Sequence, residues 1–190
     1  MARIGVKGLT YATVSSGGAG SAVVYTGGAT VANLMVKADV SIDREDVSLY
    51  ADNGRVEHAN GVTGGSISLE LAALNDTLKE KLLGYTKDTA GVLHVKDNEA
   101  PYVGFGYITK EITNGSESYI GYWFWKVQFG TDTDSAQTKG ESTAFQTESL
   151  TGNIMGVQLD SGAAMEYYVT KSDSSESTVR TWLNTQAGVS

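Results

Sequence analysis

The chain has 190 residues and carries 14 Lys and Arg against 22 Asp and Glu, a net charge of −8. That balance excludes capture of nucleic acid or an anionic membrane surface by the net field, and the absence of cysteine excludes disulfides, thiolate metal sites and a cysteine nucleophile. The length suits one domain over 1–190, and 23 glycines with one proline favour strands and turns over long helices.

The first residues, Met1 to Gly8, lack the apolar core of a signal peptide, and no stretch reaches 18 consecutive apolar residues, so synthesis in the cytoplasm and no membrane span are expected. Ser15 to Gly20 reads as a glycine and serine turn. Over 33–42, Leu34, Val36, Ala38, Val40 and Ile42 alternate with polar residues, the period of a half-buried antiparallel strand. The same period returns over 66–71 and 165–170. Between the first two strands, 43–65 forms a long excursion with the turn-former Asn53-Gly54; it is either a long loop or a protruding hairpin through Val47 to Tyr50.

A helix is expected at about 75–83, where Leu74, Leu78 and Leu82 share a face, Asn75 or Asp76 caps the start and Gly84 ends it. Pro101 to Ile108 and Tyr119 to Phe129 flank the Asn114-Gly115 turn and read as a hairpin. Strict alternation puts Tyr119, Trp123, Trp125, Val127 and Phe129 on one face, and Ile120, Tyr122 and Phe124 on the other. A strand apolar on both sides is sandwiched between layers or covered by another subunit, so Trp123 and Trp125 are core or intersubunit aromatics. A short C-terminal helix over about 174–186 carries Val179, Trp182 and Leu183 in a stripe, with Asp173 and Glu176 at capping-box spacing.

Catalytic chemistry finds no assembly. His58 and His94 have no second His or Cys nearby in sequence. Asp132-Thr133-Asp134 begins like a calcium loop but continues with Ala136 and Gln137 where ligand and glycine are required. Asp43, Glu45 and Asp46 read as a solvated acidic stretch rather than the paired carboxylates of glycoside hydrolysis. The glycine runs at 17–21 and 61–66 lack a phosphate-loop lysine, Gly104-Phe105-Gly106 lacks a third glycine, and no Gly-x-Ser-x-Gly elbow occurs. No enzyme activity, catalytic residue, metal or cofactor is expected.

Several segments together resemble the major tail protein, or tail tube protein, of siphophages, in the phi13-like group. They are Val47 to Asn53, Leu71 to Gly84 ending in Leu82-Leu83-Gly84, Tyr102 to Tyr107, Trp125-Lys126-Val127 and Thr138 to Thr147, spanning roughly 45–152. The resemblance implies a mainly β fold of two packed antiparallel sheets, a sandwich or partly closed barrel, with one flanking helix and a long loop. It also implies a virion protein whose hexameric rings stack into a tail tube through which DNA is ejected. The implied partners are the protein itself, a tape-measure protein, a distal tail protein and a tail terminator, with assembly in the host cytoplasm. Tyr50, Ala51, Asp52 and Asn53 would lie at inter-ring contacts.

Size fits that reading. A compact chain of this length has a diameter of roughly 40 Å, and six touching spheres leave a hole one sphere wide, enough for a duplex. An acidic bore would keep passing DNA weakly bound, and Asp39 and Glu70 are its expected lumen-facing carboxylates. Two other readings remain at this point: a tube subunit of a contractile injection system, and a monomeric β-sandwich binding module that uses exposed Trp123 and Trp125 as stacking platforms.

Overall fold

A computed structural model of the chain describes residues 2–31, 34–51, 54–96, 99–133 and 147–189. The elements are β1 (Ala2–Ser16), β2 (Val24–Val31), β3 (Met35–Ala51), β4 (Gly54–Leu71), α1 (Asp76–Leu83), β5 (Thr86–Lys87), β6 (Leu93–His94), β7 (Tyr102–Thr113), β8 (Ser116–Thr133), β9 (Glu148–Met155), β10 (Tyr168–Asp173) and α2 (Glu176–Ala187). Eight strands form one antiparallel sheet in the order β2-β1-β7-β8-β9-β4-β3, with β10 also on β8; β5 and β6 make a separate small ribbon.

The two-layer shape originates in β8. Its first half, Tyr119 to Phe124, pairs with β10, and its second half, Lys126 to Thr133, pairs with β9, while β7 runs along its other edge. One strand thus serves two layers, β2-β1-β7-β8-β10 and β8-β9-β4-β3. The change of layer coincides with a bulge: Val103 pairs with Val127 but Phe105 pairs with Phe124, leaving one extra residue on β8. An extra residue reverses the alternation of faces. Tyr122 and Phe124 therefore share the inner face with Val127 and Phe129, whereas Trp123 points the other way. Strict alternation had grouped Val127 and Phe129 with the tryptophans; the bulge corrects that.

Leu9 and Tyr11 from β1, Phe105 from β7, Phe124 and Phe129 from β8, Ile67 and Leu69 from β4, and Leu150 and Ile154 from β9 form one core between the layers. Among the described residues the layers do not close into a barrel. α1 contributes Leu78, Leu82 and Leu83 to this core. Its start is capped as expected, since the Asn75 carboxamide oxygen accepts from the Leu78 N–H at 2.9 Å, and Gly84 ends it in the left-handed conformation.

The excursion over 43–65 is a hairpin. β3 and β4 pair from Met35 with Leu71 out to Ala51 with Gly54, so the strand expected at 33–42 continues to Ala51. Because β9 accompanies β4 only over Gly65–Leu71, Asp43 to Ala51 extends past the neighbouring strand by roughly 27 Å at the rise of an antiparallel strand. The expected strand at 165–170 begins later, at Tyr168, and runs to Asp173. Ser175 is the N-cap residue of α2 and the expected capping box does not form: the Asp173 carboxylate accepts from the Ser175 N–H at 2.8 Å, while Glu176 turns to Lys7 and Arg180.

Candidate functional site

The two layers present very different outer faces. On the first, β1, β7 and β8 offer Ala12, Ile108 and Trp123 to α2, whose Val179, Leu183 and Ala187 close a second small core. Trp123 is fully buried. α2 can lie this close because position 121 is glycine; a Cβ there would come within 2.7 Å of Val179 and 3.0 Å of Trp182. Trp125 is half-buried beside the same core, and the Tyr25 hydroxyl donates to its carbonyl at 2.7 Å. Burial raises the Tyr25 hydroxyl pKa well above its ordinary value.

Charge pins the start of α2. Lys7 Nζ lies 2.5 Å and Arg180 Nη2 2.7 Å from the two carboxylate oxygens of Glu176. Hydrogen bonds from Lys7 and then Arg180 hold the Glu176 carboxyl below its ordinary value of 4.5. At the far end, the Thr30 hydroxyl donates to the Asn184 side chain at 3.0 Å.

The outer face of β3, β4, β9 and the end of β8 has no helix on it among the described residues. Cross-strand register arranges it in rows: Ser41 opposite Ser66 opposite Asn153 opposite Gln128; Asp39 opposite Ser68 opposite Thr151; Lys37 opposite Glu70 opposite Ser149 opposite Thr133. The residues between them, Ile67, Leu69, Leu150 and Ile154, are buried in the main core. The expected carboxylates Asp39 and Glu70 are thus on one face, at one end of it. Neither stands alone. Lys37 Nζ is 2.5 Å from Asp39, opposite Glu70 in the register, and Glu70 accepts the Thr147 hydroxyl at 2.6 Å. Asp39, chiefly by its hydrogen bond, raises the Lys37 pKa. The uncharged rows were legible as Ser-x-Ser and Thr-x-Asn alternating with apolar residues, yet no chemical motif drew attention to them.

Apolar exposure is concentrated elsewhere. Val36 and Val40 on β3, Ile4 on β1, and Met165 and Tyr168 beside or on β10 are exposed. Two clefts run along the seam where β3 meets the other layer. One, of about 290 Å³, lies among Arg3, Val6, Val36, Ala38 and Tyr107; the other, of about 360 Å³, among Ile42, Arg44, Val62, Met165 and Tyr167. Arg3 sits 5.7 Å above the Tyr122 ring, which stacks on Tyr107 at 5.1 Å. β3 is hydrogen-bonded only to β4, β2 only to β1 and β10 only to β8, so three strand edges are open among the described residues.

Of the expected inter-ring residues, Tyr50 and Ala51 end β3 at the hairpin tip, and Asp52 and Asn53 lie outside the described residues. Most of the Thr138 to Thr147 segment also lies outside them. Asp43 and Glu45 are exposed along the hairpin, and Asp132 accepts the Tyr85 hydroxyl at 2.9 Å. His94 Nε2 is 3.3 Å from Asp88, whose carboxyl is lowered mainly by the Val92 N–H and then by His94. Among the described residues, no three His, Asp or Glu side chains come together as metal ligands, and no helix is long and apolar enough to cross a membrane.

A family model described as phage tail tube protein matches residues 26–181, most of the chain and all of the large sheet except β1 and the first residues of β2. The chain belongs to the phage tail tube protein family. No curated protein matches it. Membership makes it a structural component of a phage tail that assembles with itself into a tube. The open strand edges and the long hairpin are features of that tail tube subunit.

Proposed function

We propose that the chain forms hexameric rings that stack into the tail tube of a siphophage, and that DNA leaves the virion through the bore. The carrying observation is the β3–β4 hairpin, paired to its tip, which reaches roughly 27 Å past β9 from a body about 40 Å across. That reach is enough for the end of the hairpin, where Tyr50 and Ala51 close β3, to meet the next ring. Within a ring, the open edges of β3 and β2 are templates for pairing with neighbouring copies, and the exposed Val36, Val40 and Met165 become buried there. The role is structural, without catalysis or cofactor. Assembly in the host cytoplasm on a tape-measure protein, with a distal tail protein and a terminator at the ends, follows from the same reading. Full burial of Trp123 supports it over a carbohydrate-stacking module, which needs that ring in solvent.

Purified protein imaged in negative stain should give hollow rods or rings. Tyr50→Asp should leave a folded monomer that no longer elongates; normal rods from that variant would remove the hairpin tip from the inter-ring contact. A uniform monomer from the unaltered chain, under all assembly conditions, would overturn the tube reading itself.

A further inference from the structure

We propose that the β3–β4 hairpin is an arm that turns on its base, and that the Tyr167 hydroxyl is the latch that fixes its direction for meeting the next ring. The proposal rests on the tube reading and adds how the subunit aims the hairpin and which residue does so.

The hairpin changes character where it leaves the body. Up to Gly65, β4 has β3 on one side and β9 on the other. The join is tight there: a Cβ at position 65 would come within 2.5 Å of the Ser41 carbonyl oxygen. Just beyond, the register breaks. Asp43 pairs with Gly64 but Arg44 pairs with Val62, which leaves Thr63 unpaired on β4. A bulge of this kind bends its strand and interrupts the ladder. Farther out β9 no longer accompanies the pair, and a two-stranded ribbon is marginal by itself. Gly61 and Gly64 flank the bulge and offer no side chain to pack against the body.

A cleft of about 360 Å³ lies between this base and the segment leading into β10. Tyr167 spans it: its hydroxyl donates to the Val62 carbonyl oxygen at 2.8 Å. Val62 adjoins the bulge, three positions past the last residue of β4 that pairs with β9. The latch itself is firmly mounted. Val157 and Glu166 exchange two backbone hydrogen bonds of 2.8 Å, and the Trp125 N–H donates to the Tyr167 carbonyl at 3.2 Å. The Tyr167 ring lies against Gly156, where a Cβ would approach it to 3.0 Å, and it packs on the main core. A fixed donor therefore holds a carbonyl on the far side of the bend.

Leverage makes this one bond matter. A turn of about 20° at the bulge would carry a tip roughly 27 Å away through about 9 Å, close to two strand spacings. An ordinary hydrogen bond biases such an equilibrium about two- to tenfold. A subunit whose arm points correctly for only part of the time joins the growing end more weakly by that same fraction.

The chain has no cysteine, so pairs of nitroxide labels can be placed on introduced thiols. Ser48→Cys on the hairpin with Thr170→Cys on β10 spans the bulge, whereas Ser48→Cys with Gly61→Cys lies wholly beyond it. In the monomer, electron paramagnetic resonance should give a narrow distance distribution for both pairs. Tyr167→Phe should broaden the spanning pair and leave the other narrow. Tyr25→Phe, which removes a hydroxyl bonded to the Trp125 carbonyl, should broaden neither. An unchanged spanning pair in Tyr167→Phe would overturn the latch. Broadening of both pairs would show a fraying hairpin in place of a turning arm and would overturn the hinge.

Assembly gives the second readout. The protein concentration needed for tube elongation should rise about two- to tenfold in Tyr167→Phe, and an unchanged requirement would overturn the role of the latch in aiming the arm. The label distances are read in the monomer, so absence of tubes from the unaltered chain contradicts the tube reading and not the latch.

Discussion

The face under α2 and the bare face of β3, β4 and β9 belong to the same sheet, yet they solve opposite problems. β8 is apolar on both sides through Tyr122, Trp123 and Phe124, so its layer needs a second cover, and α2 supplies it with Val179, Leu183 and Ala187. β4 and β9 are apolar on one side only; Ile67, Leu69, Leu150 and Ile154 point inward and Ser66, Ser68, Thr151 and Asn153 outward. The difference teaches that the sequence pattern of each strand decides whether its outer side is a core, a contact or a wet surface.

Substitutions on the two faces should separate sharply. Trp123→Ala removes the largest fully buried side chain and should cost about 3–5 kcal/mol by denaturant unfolding of the monomer. A loss under about 1 kcal/mol would mean that α2 does not hold a true second core. Smaller is the effect at the pinned end of α2. Glu176 has its folded-state pKa below 4.5 because of Lys7 and Arg180. The stability it contributes is therefore fully present above about 4.5 and is lost as pH falls through the lowered value. Relative to the unaltered protein, Glu176→Gln should be less stable at pH 6, by under about 1 kcal/mol for so exposed a pair, and the gap should close below pH 4.5. A gap that widens on acidification would contradict the ion-pair account. Smallest is Ser68→Ala on the bare face, within about 0.5 kcal/mol of the unaltered monomer; a larger loss would reveal a structural role for the hydroxyl rows.

Much of this contrast was readable from local pattern. The helix at Asp76–Leu83 announced itself by leucine spacing, Asn75 and Gly84, because those signals act within one or two turns. The two-sided apolar character of the Trp123 strand indicated a second cover. The bulge after Phe124 was not legible, since it depends on how β7 registers against β8, and it alone reassigns Val127 and Phe129. Nor could spacing alone show whether 43–65 was loop or hairpin: Asp43 to Asp46 are four charged residues in a row with no apolar alternation, and the pairing from Asp43 with Gly64 to Ala51 with Gly54 is seen only in the fold. The approach of Lys37 to Glu70 likewise arises only when β3 and β4 align, whereas Lys37 and Asp39 are neighbours on one face of β3.

The central claim is that copies of this tail tube subunit stack into a tube, with the β3–β4 hairpin reaching the adjoining ring. A helical reconstruction of assembled tubes tests it most directly. The account predicts hollow tubes of six subunits per ring with the β3–β4 hairpin of one ring against the next; a solid filament, or a hairpin that touches no neighbouring ring, would contradict it.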